Sequence, residues 1–121
     1  MRTMVFGESD AFHALLVDVL RDLRVEPEFV EGSAARPDLV FAMVRQGDVF
    51  GVLELARRAA HGAPIVAVMS LTDPKVAQRA DLGGAHDICT LDGPLDDLRR
   101  ALLRALERQA RLRSGNVRHS S

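Results

Sequence analysis

The sequence is poor in the residues that most chemistry needs. Its 121 residues contain one cysteine, Cys89, and no tryptophan or tyrosine. A single thiol excludes an internal disulfide and a cysteine-cluster metal site, and a reducing, cytoplasmic setting is the simplest expectation. With phenylalanine as the one aromatic type, five in all, stacking platforms for single-stranded nucleic acid are poorly supplied. The formal net charge of −1 gives no field that would gather nucleic acid or an anionic membrane. No apolar run approaches the roughly 20 residues needed to span a bilayer. Met1-Arg2-Thr3 leads into a short apolar stretch with no signal-peptide pattern. His13, His61, His86 and His119 lack ligand-like spacing, so no metal site is expected. No Ser/His/Asp set sits in a nucleophile elbow.

What is present is an ordinary globular balance, 47% apolar and 27% charged, in a chain long enough for one core. The organising stretch is Pro37–Met43. Its apolar run from Leu39 suits a central parallel strand buried on both faces. Thr3–Phe6 and Ile65–Met69 read as further buried strands, and His86–Leu91 as a last short one. Val25–Val30 is weaker: Pro27 lacks a donor, so an edge strand or irregular piece is expected. Phe12, Leu15, Leu16, Val19, Leu20 and Leu23 follow the 3.6-residue period of a helix that Ser9 or Asp10 can cap. A second helix is expected from Asp48 to about Ala60, ended by His61-Gly62-Ala63-Pro64. Thr72-Asp73-Pro74 is a strong start for a third, ending before Gly83-Gly84. Gly93-Pro94 opens the last, with Leu95, Leu98, Leu102 and Leu106 on one side. The expected division is one domain over residues 1–111 and a flexible tail or linker over 112–121. Strand–helix alternation of this kind predicts an α/β fold, a doubly wound five-stranded parallel sheet of flavodoxin-like order 2-1-3-4-5.

Pro37-Asp38-Leu39-Val40-Phe41-Ala42-Met43 resembles the third strand of the response-regulator receiver domain family (CheY-like). Pro64–Ser70 is similar to its fourth strand, and Gly84-Ala85-His86-Asp87 to the turn before its fifth. Gly51 falls where the family has a turn glycine. The resemblance covers about residues 2–110. The family places a helix between its second and third strands. Here the six residues Glu31–Arg36 are too few for a packed crossover, so the second helix is expected to be missing or shortened.

The same resemblance locates the family's active-site positions, and they are degenerate. The paired magnesium-binding acids read Gly7-Glu8. The phosphoacceptor aspartate is Met43. The phosphate-contacting Thr or Ser is Met69, with Ser70 following. The aromatic switch is Ile88, the lysine is Leu91, and the proline after it is Asp92. Magnesium needs several hard oxygen ligands, and phosphoryl transfer needs a nucleophile, a metal and a cation together. The resemblance therefore implies a pseudo-receiver.

Bland readings stand beside the sharp ones. Glu8 is the remnant of a cation site or a solvated strand-end acid. Ser70 is an anion contact or a loop hydroxyl. Cys89 is a redox sensor or a small apolar filler. Arg99, Arg100, Arg104, Arg108, Arg111 and Arg113 form a solvated face or a protein or nucleic-acid contact. The expected function is a phosphorylation-independent protein-interaction or dimerisation module in bacterial signal transduction or transcription regulation. It would be no enzyme, take no cofactor or metal, and meet DNA only through an output domain not in this chain. Its candidate interface is Arg99, Arg100 and Leu103 on the last helix. Phe29 and Val30 form a second, where the missing helix would leave apolar surface. Two alternatives remain. One is a ligand-binding or enzymatic cleft floored by Met43 and Leu91. The other is a receiver phosphorylated on a substitute acid such as Glu8 or Asp48.

Overall fold

The apolar run at Leu39–Met43 forms β3, the middle of the sheet. It pairs in parallel with β1 (Arg2–Phe6) on one side and β4 (Ile65–Met69) on the other. β2 (Glu28–Phe29) pairs with β1 and β5 (Asp87–Thr90) with β4, giving the order β2-β1-β3-β4-β5. Among the described residues four helices cover the sheet: α1 (Asp10–Asp22), α2 (Val49–Ala60), α3 (Pro74–Leu82) and α4 (Leu95–Ser120). This computed structural model describes residues 1–7, 10–32 and 34–120, with side chains through residue 112 of α4.

Successive strand side chains point to opposite faces, so the sheet feeds two cores. Val40, Ala42, Ile65 and Ala67 pack under α2 and α3, against Leu53, Ala56, Val76 and Ala80. Leu39, Phe41, Val66 and Val68 pack under α1 and α4, against Leu16, Leu20, Leu98 and Leu102. Phe12 of α1 meets Phe41 edge-on, with ring centroids 5.8 Å apart. Each such large side chain contributes about 1.5–3 kcal/mol by leaving water.

The helix boundaries follow local chemistry. The Asp73 carboxylate accepts the backbone N–H of Lys75 at 3.0 Å and of Val76 at 3.4 Å, with Pro74 in the first turn. Asp48 occupies the corresponding place before α2 but makes no side-chain cap bond. Ser9, the other expected cap, lies outside the described residues, as does Glu8.

β2 is shorter than Val25–Val30. The Val25 N–H is already used by Leu20 O at 2.8 Å, closing the end of α1, and Pro27 has no N–H to give. What remains is a two-residue pairing flanked by bonds from Glu28 N to Met1 O and from Val30 N to Thr3 O. No helix is described between β2 and β3. Phe29 and Val30, expected on one surface, divide between the two faces. Phe29 packs edge-on against His13 of α1, 5.0 Å away, while Val30 joins the core under α2. Only Val30 faces the side without the helix. There the connecting loop lays Ala35 against the core, and Met4 is 4% exposed. The boundary expected at residue 112 falls inside α4, and the side chains beyond it lie outside the described residues.

His86 closes the start of β5. Its Nδ1 accepts the Ile65 N–H at 3.0 Å, while its own N–H donates to Ile65 O at 2.8 Å. Partial burial, and then the nearby Arg108, hold its pKa below 6.5. Arg57 and His86 line one cleft beside Ile65. Because the folded pKa is depressed, the unfolded chain takes the proton first as pH falls through about 6.5, and stability is lost until the folded group also titrates. Thermal melts of the wild type and His86→Asn, whose Oδ1 keeps an acceptor near Nδ1, should track each other above about pH 7.5 and diverge towards pH 5, with the wild type falling further.

Candidate functional site

The carboxyl ends of the strands are where a sheet of this kind places its chemistry. Gly7 leaves β1 with φ 94°, and a Cβ built on it would lie 2.6 Å from Met43 Cβ. Met43, half-buried at the end of β3, therefore occupies the room a side chain at Gly7 would need. It packs against the α1/α4 core, as does Leu91 two strands away. Met69 ends β4 and is buried with Ile88 on the α2/α3 face. The Leu91 N–H donates to Met69 O at 2.8 Å, extending the sheet pairing past β5. Of the expected positions, Gly7 meets Met43, Met43 shares a core with Leu91, and Met69 shares one with Ile88. Their side chains present carbon and sulfur, which suits neither a hard cation nor an oxyanion. Among the described residues no group of three His, Cys, Asp or Glu side chains is placed to hold a metal ion.

The polar chemistry at this end lies one step further out. Asp92 Oδ2 accepts the Thr72 N–H at 2.7 Å, and its Oδ1 accepts the Thr72 hydroxyl at 2.7 Å as well as the Thr90 hydroxyl. Hydrogen bonding to the charged form, first from Thr90 and then from Thr72, lowers the Asp92 pKa to about 2. The cluster fastens the loop between β4 and α3 to the end of β5. Sequence reading registered Asp92 only as the residue in place of a proline and Thr72 only as a helix start. Twenty residues separate the partners, and no short motif joins them.

The outer edge of β5 carries a second polar tie. Arg104 of α4 grips Asp87 with two bonds, Nη2 to Oδ1 at 3.0 Å and Nε to Oδ2. Arg104 and Arg100 border a cleft of about 230 Å³ over Met69, Ile88 and Thr90. Arg99, expected with Arg100 on one interface, turns instead to Asp22 at 3.3 Å and so links α4 to α1. Leu103 is 44% exposed. Cys89 lies buried beneath the cleft, where burial, and then Asp87, push its thiol up to about 12. A protonated, buried thiol is unreactive.

The Gly7–Met43 contact can be measured. Gly7→Ala should lose about 2–4 kcal/mol in urea unfolding, combining left-handed backbone strain with overpacking. Gly32→Ala is the control: φ there is 97° and nothing lies within 4 Å of the added Cβ. It should lose only the strain component, about 1 kcal/mol. Equal losses at the two sites would mean Met43 moves aside.

No family model matches this chain, and neither does any curated protein. Solved structures do. A CheY-like protein (tadZ) from Pseudomonas aeruginosa aligns with TM-score 0.66 at 15% identity, over 87% of this chain and 98% of that one. A response regulator from Thermotoga maritima aligns with TM-score 0.71 at 16% identity, over 88% and 97%. The chemotaxis protein CheY4 of Vibrio cholerae aligns with TM-score 0.65 at 18% identity, over 86% and 97%. At such identities the likeness is one of fold: five parallel strands ordered 2-1-3-4-5 with four helices, the fold of CheY-like receiver domains.

Proposed function

We propose that this chain is a receiver-fold module of signal transduction that works by protein contact and takes no phosphate. The Gly7–Met43 contact carries the reading. The position matching the family's phosphoacceptor is a thioether, and the position matching the first metal-binding acid is a glycine with 2.6 Å between its would-be Cβ and Met43. Met69 and Leu91 stand where a hydroxyl and a lysine would serve the phosphoryl group. The Asp92 cluster points the same way. Thr72 holds the loop after β4 to the end of β5 through Asp92. One resting conformation follows, with no switch for a phosphate to bias.

The surface we assign to the partner combines α3, the outer edge of β5 and α4, with Arg100, Arg104 and Leu103 around the β5 cleft. A partner protein or a second copy of this chain suits it. The module would be non-enzymatic and cytoplasmic. Among the described residues no helix is long and apolar enough to cross a membrane. The descriptions of the structural neighbours as a response regulator and a chemotaxis protein support a place in two-component signalling.

Acetyl phosphate and magnesium should leave the intact mass unchanged. A gain of one phosphoryl group, lost in Glu8→Gln or Asp48→Asn, would establish a substitute acceptor and overturn the reading. Met43→Asp should not restore uptake, since the second acid, hydroxyl and lysine stay absent. It should lower stability by about 1–3 kcal/mol, the effect of a carboxylate set against Gly7 and an apolar core. A variant that melts with the wild type and gains phosphate would show that Met43 alone had silenced the site.

A further inference from the structure

The cleft between α2 and α3 lies on the face of the sheet opposite α1 and α4, and none of Gly7, Met43, Met69, Ile88 and Leu91 lines it. The inward positions of α2 are Val49, Leu53, Ala56 and Ala60. Phe50 stands one residue off that stripe, on the flank towards α3, and is 53% exposed. Leu82, at the end of α3, is 72% exposed. Between them lies a cleft of about 470 Å³. Gly83 forms part of its wall because a side chain there has no room: a Cβ would lie 2.7 Å from Leu53 Cδ1 and 3.5 Å from Phe50 Cδ1. A ring and an isobutyl group left facing water across an open cleft are unusual for a helix pair that otherwise buries its apolar stripe.

Glu54, Arg57 and Arg58 line the cleft, leaving it a net charge of one positive. Arg58 is held by Glu54 at 2.9 Å. Arg57, one residue earlier and on the cleft wall, is in no ion pair among the described residues. Away from their ends the helical walls have backbone groups bonded within themselves, and among the described residues no strand lines the cleft. A strand laid in the cleft would leave its own N–H and C=O groups without partners, whereas a helix brings them satisfied. We infer that the α2–α3 cleft is the docking site for an amphipathic, acidic helix of a partner protein. Its apolar stripe seats on Phe50 and Leu82, and a carboxylate on its flank pairs with Arg57. The inference goes beyond the β5 surface and does not depend on phosphate being refused.

A synthetic 18-residue peptide with leucines at helical spacing and glutamates on both flanks is titrated into the nitrogen-15-labelled full chain. A twin peptide carries lysines in place of the glutamates. Amide shifts should centre on Phe50, Arg57, Leu82 and Gly83 for the acidic peptide. Its affinity should exceed that of the twin by about tenfold or more. Arg57→Glu should remove that preference. Phe50→Ser and Leu82→Ser, at exposed positions, should each weaken binding while leaving the melting temperature near that of wild type. Equal affinity for both peptides, or no shifts at millimolar peptide, would overturn the inference. So would shifts centred on Ile88, Arg100 and Arg104, which would leave the β5 surface as the contact. Shifts at Phe50 and Leu82 that grow with protein concentration alone would also overturn it, since the occupant would then be a second copy.

Discussion

Burial of β3 and β4 on both faces is the constraint from which the remaining architecture follows. Leu39 through Ala42 and Val66 through Val68 are fully enclosed. A parallel strand so placed needs a bonded neighbour on each side and a helix over each face. That requirement recruits β1 and β5, puts α1 and α4 on one side, and sets α2 and α3 on the other. It relaxes towards the sheet edge. Where β2 keeps only two bonded residues, a loop carrying Ala35 is enough cover for Met4, and no helix is described between β2 and β3. So short an edge strand also offers little template for another chain.

The carboxyl end of the sheet then takes its character from which side chains close it. Met43 over Gly7, Met69 beside Ile88, and Leu91 continue the two cores outward, so apolar packing reaches a surface that sheets of this type often give to polar chemistry. Polar groups reappear in fixed pairs. Asp92 with Thr72 and Thr90 holds one loop, and Arg104 with Asp87 holds α4 to the outer strand. Charge here restrains backbone, and the adaptable side chains lie elsewhere, on the exposed parts of α2, α3 and α4.

The alternation of strands and helices was legible because β3 and β4 are continuous apolar runs and α1 repeats leucine and valine at helical spacing, whereas the order 2-1-3-4-5 came with the fold type that this alternation suits. Asp73-Pro74 announced its helix by a local rule that the structure obeys. The length of β2 was less legible, since Val25 looks like a strand residue until its N–H is seen bonded to Leu20. Phe29 and Val30 look like one patch in the sequence because adjacency hides the alternation of a pleated strand. Met43 could be singled out only through the resemblance. Its contact with Gly7 depends on a left-handed turn that glycine permits but does not announce. The Thr72–Asp92 and Asp87–Arg104 ties join residues far apart in the chain, and no period or motif encodes such pairs.

Cys89 gives the molecule a built-in clock. Its thiol is 5% exposed, lies between β5 and α4, and is protonated at neutral pH. Cys89 also lines the floor of the β5 cleft, and at so low an exposure a thiol reagent in solution gains access chiefly as the outer strand and the last helix part. With the reagent in excess and reclosing fast, the labelling rate reports the free energy of that opening. With reclosing slow, it reports the opening rate itself. The chain thus carries, without an added probe, a direct measure of how firmly the Arg104–Asp87 grip and the core beneath it hold the last helix in place.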